Sequence, residues 1–96
     1  MSAAAIEAVS ERLAALAAPK RIAILEALRD GEASVQELAD RLDITHRNAS
    51  HQLAVLYREG VLTRRQDSLS VLYAIEDWSA LWLVEQVALS LAEAGV

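Results

Sequence analysis

The 96-residue sequence contains no cysteine. This absence excludes disulfide bonds, thiolate metal ligands, a cysteine nucleophile and cysteine-based redox sensing. The three glycines are scattered along the chain, so no glycine-rich loop is present to cradle a phosphate. Ser50 and His51 are neighbours, but adjacent side chains on a helix diverge and do not make a nucleophile–base pair. We therefore expect no cofactor and no enzymatic activity.

Basic side chains are scarce as well, with nine lysines and arginines against fourteen acids and a formal net charge of −5. That total argues against binding to nucleic acid, because such binding depends on neutralising phosphates. The distribution differs from the total. Residues 41–65 carry five arginines and two acids, whereas the other residues carry four basic and twelve acidic side chains. One basic segment therefore lies within an acidic chain.

The length predicts a single domain over residues 1–96. More than half of the residues, 54%, are hydrophobic, which is more than so small a domain buries alone and favours pairing with a second copy. The alanine-rich start is interrupted by Glu7, Glu11 and Arg12 and has no basic leader. We expect neither a signal peptide nor a membrane span, and hence a cytoplasmic protein.

The spacing of apolar residues predicts five helices and a β-hairpin. The helices are predicted over residues 3–17, 19–30, 34–42, 45–59 and 77–94, and the strands over 61–66 and 70–75, with the hairpin tip at Asp67–Ser68. Gly31 is expected to end the second helix, whose inward residues are taken to be Ile22, Leu25 and Leu28.

A capping box at Ser34–Glu37 starts the third helix, and Thr45 is a good N-cap for the fourth. Between them, Asp43 can take the left-handed conformation that a tight turn requires. Two short helices joined in this way form a helix-turn-helix. The predicted fold class is therefore mainly α with a β-hairpin wing, a winged helix-turn-helix.

Several separate blocks of the sequence resemble the ArsR/SmtB-type family of bacterial winged-helix repressors. The blocks are LAAPKRIAIL at 16–25, SVQELA at 34–39, ASHQLAVL at 49–56 and EGVL at 59–62. The resemblance extends over residues 10–93. It implies a homodimer built from the first and last helices that binds operator DNA, and in many members a ligand then releases that DNA.

The fourth helix is the predicted recognition helix. Ala49, Leu53 and Leu56 form its buried stripe, and the opposite face carries the polar side chains. Arg47 can contact guanine in a bidentate manner, and Asn48 can do so with adenine if it points outward. The predicted DNA-binding residues are Thr45, His46, Arg47, Asn48, Ser50 and His51 on the helix, and Arg64 and Arg65 on the wing. The alternative is that these are solvent-facing polar side chains, and the acidic, glycine-free wing tip argues against a strong wing contact.

The dimer face is predicted on the first and last helices, at Ile6, Val9, Leu13, Leu81, Val84, Val87 and Leu91. Trp78 and Trp82, four residues apart, either line a small-molecule pocket or serve as core or interface anchors. Asp77 is predicted to be the N-cap of the last helix.

Neither of the metal sites that the resemblance suggests is complete, and we expect no metal site. The positions of the family's thiolate cluster hold Ser34, Val35 and Gln36, and those of its last-helix site hold Asp77, Ser79, Ser90 and Glu93. Two carboxylates without imidazole make a poor Zn²⁺ or Ni²⁺ site. His46 and His51 point about 140° apart on a helix and do not form a pair.

The leading hypothesis is a dimeric transcriptional regulator that reads an inverted repeat in double-stranded DNA, most simply as a repressor, without using the known metal sites. The alternative is a winged-helix interaction module that antagonises another regulator without binding DNA. The sequence does not identify an effector.

Overall fold

The computed structural model describes residues 1–96 and contains five helices and three strands. In chain order the elements are α1 (Ala3–Leu16), α2 (Pro19–Ala27), β1 (Ala33–Ser34), α3 (Val35–Leu42), α4 (His46–Arg58), β2 (Leu62–Asp67), β3 (Ser70–Ile75) and α5 (Trp78–Glu93). This order confirms the predicted winged helix-turn-helix.

Local hydrogen bonds define the helix-turn-helix. Ser34 Oγ accepts from the Glu37 backbone N–H at 3.1 Å, and the Glu37 carboxylate accepts from the Ser34 N–H at 3.0 Å, so the capping box is complete. Asp43 ends α3 in the left-handed region, with φ 53°. The Thr45 hydroxyl then accepts from the Asn48 N–H at 3.0 Å and caps α4. These hydrogen bonds satisfy free backbone N–H groups at the start of each helix, and Asp43 forms the tight turn between them.

The sheet has three antiparallel strands in the order β1-β3-β2. In the wing, which is the β2–β3 hairpin, Asp67 pairs with Ser70. The tip is therefore Ser68–Leu69, one residue later than predicted, and Ser68 takes the positive φ of 56° that the tight turn requires. The two-residue strand β1, which pairs with β3, was not predicted.

The core draws on every helix and on the sheet. Its buried members are Leu16, Ile24, Leu25, Leu28, Ala33, Leu38, Leu53, Leu56, Val61, Leu62, Tyr73, Ile75, Ala80 and Leu81. Leu81 is only 3% exposed, and Val84 packs partly against the same cluster. Leu81, predicted at the dimer face, is therefore a core residue of its own chain.

Two expectations for α2 are wrong. Ile22 is exposed and Ile24 is fully buried in its place. The helix also ends at Ala27, three residues earlier than predicted, and a turn that ends at Gly31 follows it directly. Apolar residues occupy most positions of this helix, so its spacing alone does not identify the buried face.

The outer faces of α1 and α5 remain apolar and exposed. Ile6, Val9 and Leu13 are exposed on α1, and every residue from 86 to 96 is exposed at the end of α5. Trp78 and Trp82, at 55% and 61% exposure, do not belong to the core of the chain. None of the helices combines the length and the hydrophobicity that crossing a bilayer would take.

Candidate nucleic-acid interface

The exposed face of α4 carries the predicted reading residues. Ala49, Leu53 and Leu56 are fully buried, which confirms the predicted stripe and orients the helix. Arg47, Ser50 and His51 are exposed as a result, together with His46 at the first position of the helix. The N-terminal end of α4 projects from the fold with its cap satisfied and its polar side chains facing solvent.

Arg47 and Arg58 differ from the other six arginines. Both lie on the exposed face of α4, and neither forms an ion pair or a side-chain hydrogen bond. The others are engaged: Arg12, Arg29, Arg41 and Arg65 with carboxylates, Arg21 with backbone carbonyls and Gln52, and Arg64 with an aromatic ring. Arg47 and Arg58 are eleven positions apart, about three helical turns, so both cations point the same way, about 16 Å apart along the axis. The uncommitted positive charge of the arginines is thus concentrated on one helix face.

Asn48 lies on the flank of α4 rather than at the centre of its exposed face. It is half-buried, and its Oδ1 accepts a hydrogen bond from Gln52 Nε2 at 3.1 Å. Gln52 Oε1 in turn accepts from Arg21 Nη1 at 2.9 Å. Asn48 is therefore not a free side chain. Any contact that it makes with DNA depends on Gln52, which holds its oxygen, and on Arg21, which holds Gln52.

His46 lies on the opposite flank, near the wing. Together with residues of β3 and of the start of α3 it lines a cleft of about 290 Å³. The wing-tip residue Leu69 reaches the same cleft and is fully exposed. The wing tip and the N-terminal end of α4 are therefore on the same side of the molecule.

The two wing arginines are in different environments. The Arg64 guanidinium lies over the Tyr57 ring, 4.0 Å from its centre, and Tyr57 meets Tyr73 edge-on at 6.5 Å. Arg65 donates to both oxygens of Glu32, from Nη2 at 2.5 Å and from Nε at 2.9 Å. The hydrogen bond from Arg65 lowers the pKa of Glu32, so this carboxylate is ionised at neutral pH.

A groove of about 350 Å³ separates α1 from the start of α5. Arg12 lies beside it, paired with Asp77 and 3.6 Å from the Glu59 carboxylate at the end of α4. Asp77 also accepts from the Ser79 N–H at 3.1 Å, which confirms its predicted role as the N-cap of α5. The hydrogen bonds from Ser79, followed by those from Arg12, lower the pKa of Asp77.

Nowhere in the structure do three or more His, Asp or Glu side chains form a group suited to a metal ion.

Known proteins of similar sequence include transcriptional regulators with a helix-turn-helix domain. A family model for a helix-turn-helix domain matches residues 16–65. The transcriptional repressor SmtB of Mycobacterium tuberculosis is 40% identical over 72 residues, which cover 75% of this chain and 53% of that protein. The transcriptional activator HlyU of Vibrio cholerae is 34% identical over 73 residues, which cover 76% of this chain and 68% of HlyU.

A solved structure agrees with these relatives. The homodimeric winged helix-turn-helix DNA-binding domain of a possible ArsR-family regulator from Mycobacterium bovis superposes with a TM-score of 0.84 at 27% identity, covering 95% of this chain and 84% of that one. The chain belongs to the ArsR/SmtB-type family of winged-helix proteins. It spans about half the length of the SmtB repressor that it matches.

Within this ArsR/SmtB-type chain, sequence reasoning did not assign three residues that the structure places at or beside the interface. Arg21 and Gln52 hold Asn48 through a series of hydrogen bonds, and Glu32 forms an ion pair with Arg65. Arg21 lies in the block that carries the family resemblance, but its partner is 31 residues away. No local signal in the sequence links Arg21 to Gln52 or Glu32 to Arg65, whereas Gln52 and Asn48 are four positions apart, the spacing at which side chains on a helix meet.

Proposed function

We propose that this chain is a dimeric DNA-binding transcriptional regulator that reads an inverted repeat with α4. The observation that carries the proposal is the pair of uncommitted arginines, Arg47 and Arg58, on the exposed face of a capped helix within a helix-turn-helix. An arginine that is not paired with a carboxylate can bind a DNA phosphate, and so release a counterion from the DNA, without first breaking an ion pair. Thr45, His46, Arg47, Ser50 and His51 surround the end of the helix that enters the major groove.

The second copy is needed because α5 has no partner along its final turns. Every residue of the helix from 86 onward is exposed, including the apolar Val87 and Leu91, which are four positions apart and share one face. With Ile6, Val9 and Leu13 of α1, these side chains form an apolar surface that a symmetric partner would bury. The Mycobacterium bovis neighbour is homodimeric, which supports the same arrangement here.

The relatives include a repressor and an activator, so they favour control of transcription over a protein-interaction module. We assign repression as the direct consequence of operator binding, because a dimer seated on a promoter blocks polymerase. We place the protein in the cytoplasm, with the DNA that it would bind. The proposal includes neither catalysis nor a metal.

Selection from a pool of randomised duplexes tests DNA binding and identifies the operator sequence in the same experiment. The wild-type protein is expected to enrich an inverted repeat with half-sites about one helical turn, ~34 Å, apart. Replacing Arg47→Ala is then expected to weaken binding to that site by about 1–3 kcal/mol. Arg29→Ala removes the same charge from the turn after α2, where Arg29 pairs with Glu26 and Glu85, and serves as the matched control. Failure to enrich any sequence would refute the proposal.

Sedimentation tests the dimer. Leu91→Glu is expected to shift the protein toward the monomer, because it places a charge in the apolar surface that the partner covers. Leu69→Glu makes the same change at the exposed wing tip and is expected to leave the mass unchanged. An unchanged dimer in the Leu91 variant would exclude this part of α5 from the interface.

A further inference from the structure

A chain of side-chain hydrogen bonds links the second helix to the first turn of α4. Arg21 Nε donates to the Ala15 carbonyl at 2.6 Å, in the last turn of α1, where a cation is favoured by the helix dipole. Its Nη1 donates to Gln52 Oε1 at 2.9 Å, and Gln52 Nε2 donates to Asn48 Oδ1 at 3.1 Å. We call these three residues, Arg21, Gln52 and Asn48, the relay.

The direction of the relay is determined by its first member. An arginine guanidinium has five N–H donors and no acceptor, so only the oxygen of the Gln52 amide can face it. The Gln52 NH₂ group must then point along the helix toward Asn48. Because that group is a donor, Asn48 must turn its own oxygen toward it. The two amides, whose oxygen and nitrogen are otherwise interchangeable, are thereby oriented.

This orientation determines what Asn48 offers to a ligand. With Oδ1 directed at Gln52, the Nδ2 amide group has no hydrogen-bond partner in the chain and is not a buried atom, so it is free to donate to a ligand at the end of α4 that would enter the groove. A bidentate contact with adenine needs the oxygen and nitrogen of Asn48 side by side on the base, and in the relay that oxygen is already held by its hydrogen bond from Gln52. The outward group is a donor only, suited to the acceptors of guanine, thymine or adenine N7 and unsuited to the N4 amino group of cytosine.

We propose that Arg21, acting through Gln52, fixes Asn48 as a hydrogen-bond donor toward one base of each half-site and so disfavours cytosine there. Arg21 is a positioning residue that touches no DNA in this scheme. The assignment deepens the proposed function and rests on it. It also revises the expectation that Asn48 reads adenine through both of its amide atoms.

Base preference tests the relay, because it is a ratio within one protein and is insensitive to uniform changes in affinity. Asn48→Asp replaces the outward donor by an acceptor and is expected to raise the frequency of cytosine at one half-site position about tenfold. Gln52→Glu is expected to shift the same position in the same direction. Its carboxylate accepts from both Arg21 and Asn48, which turns the Asn48 oxygen outward.

Variants of Arg21 supply the controls. Arg21→Lys keeps a donor-only group and is expected to retain the wild-type preference, whereas Arg21→Met lets the Gln52 amide turn and is expected to broaden it. Far-ultraviolet circular dichroism of each variant confirms folding. If wild type enriches a site but Asn48→Asp or Gln52→Glu leaves every position unchanged, the relay is refuted and the proposed function stands. If wild type enriches nothing, both are refuted.

Discussion

On the wing, Arg65 is paired with a neighbouring carboxylate, and we predict that breaking this pair strengthens binding to DNA. Arg65 forms a bidentate ion pair with Glu32, and the Asp67 carboxylate lies 3.9 Å from the same guanidinium. Both side chains of the Arg65–Glu32 pair are well exposed, so solvent and salt screen the attraction between them and little stability is lost when the pair is broken. Glu32→Gln removes the competing charge and leaves a side chain of the same size.

The expected magnitude follows from counterion release. Each phosphate that a protein neutralises on duplex DNA steepens the dependence of log K on log salt by about 0.9. One additional contact per protomer therefore adds about 1.8 to the slope for a dimer. Because of this difference of about 1.8 in slope, halving the salt concentration raises the affinity of the Glu32→Gln variant about 3.5-fold more than it raises that of wild type.

Fluorescence anisotropy with the selected duplex, titrated at several KCl concentrations, measures the slope directly. Glu7→Gln makes the same substitution on α1 and should leave the slope unchanged. If the gain acts through Arg65, the double variant Glu32→Gln/Arg65→Ala should lose it. A Glu32→Gln slope equal to that of wild type would show that the wing does not contact phosphate, and that Arg65 belongs only to its ion pair.

Two other predictions concern metals and acid. We expect Zn²⁺, Ni²⁺ and Cd²⁺ to leave the DNA complex intact, because Ser34, Ser79 and Ser90 occupy ligand positions of the family's two sites; a stoichiometric, high-affinity heat in titration calorimetry would contradict this. Bonds from Ser79 and Arg12 lower the pKa of Asp77 below its ordinary 3.8, so its stabilising effect is complete above about pH 4 and is lost as the pH falls through the folded-state pKa. The difference in unfolding free energy between wild type and Asp77→Asn, measured by urea denaturation, should therefore shrink below about pH 4, and a constant difference down to pH 2 would refute the linkage.

Features that depend on neighbouring residues were predictable from the sequence. The capping box at Ser34–Glu37, the left-handed Asp43 and the cap at Thr45 each depend on hydrogen bonds or sterics within four residues. Such contacts form whenever the local chain adopts the helix. For this reason the helix-turn-helix and its exposed face were correctly predicted.

Features that depend on distant residues were not predictable. The Arg21–Gln52 and Glu32–Arg65 pairs join positions 31 and 33 residues apart, and only the folded chain brings them together. The burial of Leu81 has the same cause: α5 is apolar around most of its circumference, so the sequence does not distinguish the turns that pack on the core from those that extend beyond it.

The acidic total of the chain is compatible with DNA binding because of where its acids lie. Some of them neutralise an arginine outside α4, as Glu26 and Glu85 do at Arg29. Charges separated by more than the Debye length, about 10 Å at 0.1 M salt, hardly affect one another through solvent. A phosphate at the recognition helix therefore responds mainly to the cations nearest to it. The net charge of −5 is a property of the whole chain, whereas a DNA groove occupied by α4, as proposed, would meet first the unpaired guanidinium groups of Arg47 and Arg58.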